Sequence, residues 1–180
     1  MVESLLRTDK EKEITEVYER HVQMVYRICF SYMKNNADTE DVVSDTFYRL
    51  IKSGKTFESS EYEKAWLIRT ASNLCKNALK HWWRKRENFE SLENTATTAE
   101  YEKDEVFSAV MELPDKYKTI IYLYYYEGYN SVEISKMLKK PESTIRTYLS
   151  EARRILREGL GLTEAGKFKP VQQYKLGGGV

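Results

Sequence analysis

Between Ala65 and Arg86 the chain reads AWLIRTASNLCKNALKHWWRKR, a run that mixes indole rings, amides and unopposed positive charge. Lys76, Lys80, Arg84, Lys85 and Arg86 carry that charge, and no acid interrupts them after Glu63. Ammonium and guanidinium groups neutralise phosphates while bases stack on aromatic faces, so this mixture suits a nucleic-acid strand whose bases are partly unstacked. An amphipathic helix with a solvated basic end, complementing its macrodipole, accounts for the same residues without a ligand. A second candidate lies in PESTIRTYLSEARRILRE, where arginines alternate with Ser, Thr and Glu. Arginine donates two hydrogen bonds to guanine, and glutamate accepts from the amino group of cytosine. Catalysis has no comparable footing, because the chain has no phosphate-cradling glycine loop, no metal-ligand cluster and no evident nucleophile–base pair. No catalytic residue, metal or cofactor is expected.

The elements that must position these residues read as helices throughout. Ile14, Val17, Tyr18, Val22, Val25, Tyr26, Cys29, Phe30 and Met33 recur at helical spacing, and Asn35-Asn36 ends that run. Asp38 is the expected cap of the next helix, with Glu40 and Asp41 in its first turn, a stripe of Val42, Val43, Phe47, Leu50 and Ile51, and a stop at Ser53-Gly54. A polar loop, KTFESSEYE, then leads to the basic helix, whose apolar stripe is Trp66, Ile68, Ala71, Leu74, Cys75, Ala78, Leu79 and Trp82.

Further on, Val106, Phe107, Val110 and Met111 mark a short helix closed by Leu113-Pro114, and Tyr117, Ile120, Ile121, Tyr124 and Tyr125 mark another that ends towards Gly128. Asn130 with Glu133 forms a capping-box start for a helix carrying Ile134, Met137 and Leu138. After a tight connection at Lys139 to Pro141 comes a longer helix with Ile145, Leu149, Ala152, Ile155 and Leu156 inward. No stretch alternates with the two-residue period of a strand. The expected fold is all-α, with two small helical domains joined by a linker.

Composition bounds the rest. The net charge of +1 favours no partner, but Glu87 to Glu105 holds seven further or terminal acids, Glu87, Glu90, Glu93, Glu100, Glu102, Asp104 and Glu105, against Lys103 alone. Local fields survive such cancellation, since screening confines exposed charges to about 8–10 Å at physiological salt. Cys29 and Cys75 both fall on apolar stripes and read as buried small hydrophobes, while His21 and His81 lack companions at zinc spacing. No apolar run approaches the roughly 20 residues that span a bilayer, and MVESLLRTDKEKE lacks a signal-peptide pattern. A cytoplasmic protein without membrane insertion is expected.

A short helix, a tight turn and a longer helix with a polar, arginine-bearing face have the layout of a helix-turn-helix, whose second helix enters the major groove of DNA. The candidates to reach base edges are Ser143, Thr144, Arg146, Thr147, Tyr148, Ser150 and Glu151, with Arg153 and Arg154 suited to phosphates.

With both halves in view, the chain resembles a bacterial RNA polymerase sigma factor of the extracytoplasmic function (ECF) group of the sigma-70 family, from about Ile14 to Leu160. The resemblance rests on DTEDVVSDTFYRL, the loop from Phe57 to Trp66 and AWLIRTASNLCKNAL in the part similar to region 2. In the part similar to region 4 it rests on ELPDKYKTIIYLYYYEGYNSVEISKML and PESTIRTYLSEARRIL. It implies a region 2 domain over residues 1–88, an acidic linker over 89–104, a region 4 helix-turn-helix over 105–160 and a flexible tail over 161–180.

The same resemblance implies roles. Glu40, Asp41, Asp45, Tyr48 and Arg49 would meet the clamp helices of the largest subunit of core RNA polymerase, and region 4 would sit at its flap. Phe57, Ser59, Ser60, Tyr62, Asn73, Asn77, Lys80, Trp83, Arg84, Lys85 and Arg86 would bind melted minus-ten DNA, with a base flipped into a protein pocket. The region 4 candidates would read the minus-thirty-five duplex of promoter DNA. An anti-sigma factor is implied as a further partner. Many relatives carry Asp and Arg where this chain has Asn77 and Lys80, and lysine lacks arginine's planar bidentate geometry, so Lys80 is expected on a phosphate rather than a base. In the recognition helix many relatives have Gly, Arg and Arg where this chain has Ser143, Tyr148 and Glu151, so the minus-thirty-five sequence read is expected to be unusual. Phe57 fits equally a plug for the local core, and Trp82 and Trp83 fit either core or strand contact. A dimeric operator-binding regulator is the alternative function; it would need only the helix-turn-helix and leaves the basic aromatic helix and acidic helix without a role.

Overall fold

Seven α-helices make up the described part of this computed structural model, which covers residues 2–86 and 105–160, with side chains placed over 12–81 and 107–160. The linker over 89–104, the tail over 161–180 and the side chains of Trp82, Trp83, Arg84, Lys85 and Arg86 lie outside the described residues. No strand occurs among the described residues, and the chain divides into two compact units, 1–96 and 97–180.

The first unit packs α1 (Val2–Met33), α2 (Asn36–Ser53) and α3 (Ser60–Arg86) against one another. Helix α1 begins well before the periodic stretch at Ile14, because the preceding Glu, Leu, Lys and Arg residues are good helix formers with no Gly or Pro among them. Lys34 takes a left-handed φ of 61° to end α1. The cap of α2 is Asn35 rather than Asp38: Asn35 Oδ1 accepts from the Asp38 N–H at 2.9 Å and Asn35 Nδ2 donates to the Asp38 carboxylate at 2.5 Å. Asp38 thus occupies the first turn, and Glu40 and Asp41 fall in the second. Gly54, at φ 58°, stops the helix as its N–H turns back to Ile51 O.

Helix α3 starts at Ser60, not Ala65, which shortens the expected loop. The reason is local, since Ser59 Oγ accepts from the Tyr62 N–H at 3.4 Å and places Glu61 and Glu63 in the first turn, where the helix dipole favours acids. Its buried face is also wider than the expected stripe. Ala65, Leu67, Ile68, Ala71, Leu74 and Cys75 are buried, while Trp66, Ala78 and Leu79 are half-buried, because α3 meets both α1 and α2. On α2 the corresponding correction is Ile51, which is 47% exposed, while Thr39 and Thr46 are buried and return their hydroxyls to Asn35 O and Val42 O. Cys29 and Cys75 are buried free thiols; their mutual hydrogen bond, with burial, pushes the Cys29 thiol well above the ordinary value. Each fully buried aliphatic side chain in this core is worth about 1.5–3 kcal/mol relative to exposure.

The second unit comprises α4 (Glu105–Glu112), α5 (Asp115–Tyr125), α6 (Ser131–Leu138) and α7 (Glu142–Gly159). Helix α5 is its axis and packs on all three others. Residues Tyr117 to Leu123 and Tyr125 are all buried, and Lys118 among them keeps its ammonium 3.6 Å from Asp115 Oδ1. The capping box of α6 is present as expected: Asn130 Oδ1 accepts from the Val132 and Glu133 N–H groups at 3.0 Å, and the Asn130 N–H donates to Glu133 Oε2 at 2.8 Å. Lys139, at φ 53°, makes the tight turn into α7. Ile145, Leu149, Ala152 and Leu156 seal that helix onto the unit, and Ile155 is half-buried.

Candidate nucleic-acid interface

The loop before α3 folds back onto the helix through aromatic contacts. The half-buried rings of Phe57 and Trp66 lie 6.1 Å apart at an interplanar angle of 55°, and Lys55 Nζ sits 5.7 Å from the centre of the Trp66 ring. Trp66 was expected in the core stripe and instead forms a partly open aromatic floor under a cation. Ser59 and Ser60 are exposed, and Tyr62 is 62% exposed on the first turn of α3. Asn73, Asn77 and Lys80 follow along the helix, all exposed, at the four- and three-residue spacing that aligns side chains on one helical face. Lys55 and Trp66 are not among the site residues expected from sequence; a cation and a tryptophan on opposite sides of an aromatic loop residue were the available signal.

At the start of α3 is a partly buried ionic anchor. Glu63, 8% exposed, accepts from Arg20 Nη1 at 3.0 Å and lies 2.7 Å from His21 Nε2, tying the first turn of α3 to α1. Burial pushes the His21 imidazole below its ordinary value of 6.5, against the upward pull of Glu63. A neutral ring satisfies the contact by donating from Nε2, while Arg20 supplies the compensating charge. Among the described residues, no buried side-chain polar atom lacks a hydrogen-bond partner.

The outer face of α2 presents Glu40, Asp41, Asp45 and Arg49, all exposed, with Tyr48 at 60% exposure and Ile51 beside them. Tyr18 of α1, 45% exposed, packs edge-on against Phe47 with centroids 4.8 Å apart. Charge and exposed apolar surface therefore share one side of the first unit.

Helix α7 divides its polar residues between two faces. Ser143, Arg146, Thr147 and Ser150 are exposed, and Thr144 is half-buried. Tyr148, Glu151 and Arg153 turn towards α5. Tyr148 meets the Tyr117 ring edge-on at 5.5 Å, Glu151 accepts a short hydrogen bond from the Tyr117 hydroxyl, and Lys116 Nζ lies 3.9 Å from Glu151 and 4.6 Å from the Tyr117 ring centre. Arg153 Nε donates to the Tyr125 hydroxyl at 3.0 Å, and its guanidinium stacks 4.7 Å from the centre of Tyr124. Arg154 is exposed and paired with Glu158 at 2.8 Å. Lys116, with its side chain 54% exposed, is the cation at this edge that sequence patterning missed.

Comparison with known proteins decides what this pair of units is. The family model described as Sigma-70 region 2 matches residues 17–87, and that described as Sigma-70, region 4 matches residues 103–156. The RNA polymerase sigma factor SigV of Bacillus subtilis is 31% identical over 141 residues, covering 76% of this chain and 84% of its own. The chain belongs to the ECF group of the sigma-70 family of RNA polymerase sigma factors. The ECF sigma factor SigW of Bacillus subtilis is 24% identical over 172 residues, covering 84% of this chain and 89% of its own. A solved structure, the sigma factor RpoE of Bartonella quintana in complex with the anti-sigma factor NepR, matches in fold with a TM-score of 0.64 at 21% identity, over 86% of this chain and 98% of that one. In this sigma factor the first compact unit holds the region 2 match and the second holds the region 4 match. Among the described residues, no helix is long and apolar enough to cross a membrane, and no cluster of three or more His, Cys, Asp or Glu side chains could hold a metal.

Proposed function

We propose that this sigma factor binds core RNA polymerase through the outer face of α2, captures melted minus-ten DNA with its region 2 loop and α3, and reads minus-thirty-five duplex with α7. The observation that carries this reading is the coexistence in one chain of two exposed polar stripes, Asn73, Asn77 and Lys80 on α3 and Ser143, Arg146, Thr147 and Ser150 on α7. A dimeric operator-binding regulator needs only the second. Polymerase docking uses Glu40, Asp41, Asp45, Tyr48 and Arg49, and Ile51 adds apolar area to that contact.

In region 2, Phe57 and Trp66 wall the place where an unstacked base is held, with Lys55 near its phosphate and Ser59, Ser60, Tyr62 and Asn73 as polar partners. Trp83, Arg84, Lys85 and Arg86, whose side chains lie outside the described residues, are further contacts to the strand in this reading. Base stacking on an aromatic side chain contributes about 1–3 kcal/mol, which offsets the cost of extruding the base. In region 4, Ser143, Thr144, Arg146, Thr147 and Ser150 face the groove, while Tyr148, Glu151 and Arg153 support α7 from behind. Arg154 and Lys116 flank it as phosphate contacts.

The chain performs no chemistry of its own, works in the cytoplasm, and is organised as region 2 over 1–88, linker over 89–104, region 4 over 105–160 and tail over 161–180. An anti-sigma factor covers its binding faces, a reading supported by the complex in which the Bartonella quintana sigma factor was solved. The test is transcription from a promoter library by core polymerase with and without the purified chain. Initiation at specific promoters that depends on the chain is the expected outcome. Specific binding to an operator by a dimer, with no effect of adding polymerase, would refute it.

A further inference from the structure

Arg146 and Arg154 are the two exposed arginines of α7, and Arg146 lies on the same face as Ser143, Thr147 and Ser150. Arg146 donates through Nε to Glu142 Oε1 at 2.9 Å, while the side chain as a whole is 71% exposed. The same Glu142 oxygen accepts from Ser131 Oγ at 2.9 Å. Ser131 is the first residue of α6 and follows Asn130, whose side chain closes the capping box. The chain of contacts therefore runs from a rigid helix start, through a half-buried carboxylate, to the arginine.

Two properties of this chain matter. An isolated exposed pair at this helical spacing contributes little, because two long side chains must be ordered in water. Here Ser131 already orders Glu142, and the positive end of α7 favours the carboxylate in its first turn. Engagement through Nε leaves the two terminal amino groups of Arg146 out of this contact, on a side chain that is mostly exposed. Those are the groups that donate side by side to O6 and N7 of guanine.

We infer that Glu142 and Ser131 are positioning residues for base recognition: they hold Arg146 ready to read one guanine of the minus-thirty-five duplex. The inference rests on the proposal that α7 reads that duplex and adds the device that sets its selectivity. Immobilising a long side chain on binding costs about 0.5–1.5 kcal/mol, and ordering it beforehand removes that cost from the specific complex alone. Non-specific phosphate binding gains nothing from the arrangement, because it does not require one orientation of the guanidinium.

The experiment uses the full chain with core polymerase, and measures binding to a library randomised at the minus-thirty-five positions. Arg146→Ala identifies the position that Arg146 reads by flattening preference there. Glu142→Ala and Ser131→Ala are expected to lower preference at that same position by about two- to tenfold. Glu142→Gln, which keeps an acceptor for both Arg146 and Ser131, is expected to retain most of it. The double variant Glu142→Ala, Arg146→Ala should match Arg146→Ala alone in preference. The electrostatic part of the Glu142→Ala change acts on all sequences alike, so a change in the ratio between bases reports the lost positioning and not the lost charge.

Thermal unfolding of each variant separates loss of folded region 4 from loss of selectivity, since a fold defect weakens every sequence together. Full preference in Glu142→Ala while Arg146→Ala flattens a position overturns the positioning role and leaves the reading helix intact. Flattening of no position by Arg146→Ala overturns the assignment of Arg146 as a reader, and the inference with it.

Discussion

Glu151 shows how a residue's neighbours decide its work. Its type and place on α7 suit a cytosine contact, yet its carboxylate accepts from the Tyr117 hydroxyl and lies 3.9 Å from Lys116 Nζ. Replacing it with Ala should therefore destabilise region 4 by about 1 kcal/mol, a hydrogen bond to a charged group discounted for a side chain 43% exposed. Preference at minus-thirty-five positions should stay unchanged. Calorimetry of the full chain checks the first expectation and binding to a randomised promoter checks the second; a changed base preference with unchanged stability would return Glu151 to the groove. His21 gives a pH-dependent counterpart in region 2. Burial holds its folded value below the 6.5 of the free side chain, so between those values the unfolded chain carries more protons than the folded one. Stability is then greatest above about pH 6.5 and falls as pH drops towards the folded value, below which the loss levels off. His21→Gln, which still donates to Glu63, should flatten this part of the curve. Urea unfolding of region 2 at a series of pH values measures it, and parallel slopes for the two proteins would remove His21 from the account.

At the scale of elements, the helix ends marked by a capping pair or a Ser-Gly stop were readable from sequence. The Asn130 and Glu133 pair announces the start of α6, and Ser53-Gly54 the stop of α2. Asn35→Ala and Asn130→Ala should each cost about 0.5–2 kcal/mol. A cost of that size lowers the melting temperature of a small domain by about 4–8 °C per kcal/mol, and each variant should shift the transition of its own unit. Calorimetric scans in which Asn35→Ala left the region 2 transition in place would show that Asp38 caps α2 after all. Less was readable where periodicity is silent. The first twelve or so residues of α1 are helix formers without an apolar stripe, and the start of α3 is set by one serine hydroxyl in a polar stretch. The exposure of α7's polar residues was legible only in part. Ser143, Arg146, Thr147 and Ser150 follow helical spacing and are exposed, and Tyr148, Glu151 and Arg153 are half-buried at the boundary, where periodicity could not show that α5 offers them tyrosines. Trp66 was misplaced for the same reason: its partner, Phe57, lies in a loop that periodicity does not describe.

For the whole molecule, a net charge of +1 leaves little long-range attraction to DNA, so electrostatic binding must come from a few local cations. Two of them lie on different units and face different forms of promoter DNA in the proposed function. Lys80 on α3 would neutralise a phosphate of the melted strand, and Lys116 on α5 one of the minus-thirty-five duplex. Each neutralised phosphate releases counterions, and the slope of log affinity against log salt falls by about 0.7 per contact for single strands and about 0.9 for duplex. Lys80→Ala and Lys116→Ala should thus each make promoter binding by the holoenzyme less salt-sensitive, and the double variant should show close to the sum. Neither should change which sequences are preferred, because a phosphate contact carries no base information. Titration of holoenzyme on one promoter across a range of salt concentrations measures both slopes. An unchanged slope for Lys116→Ala would confine that lysine to its support of Tyr117 and Glu151, and region 4 would then draw its affinity from Arg154 and the groove-facing residues of α7.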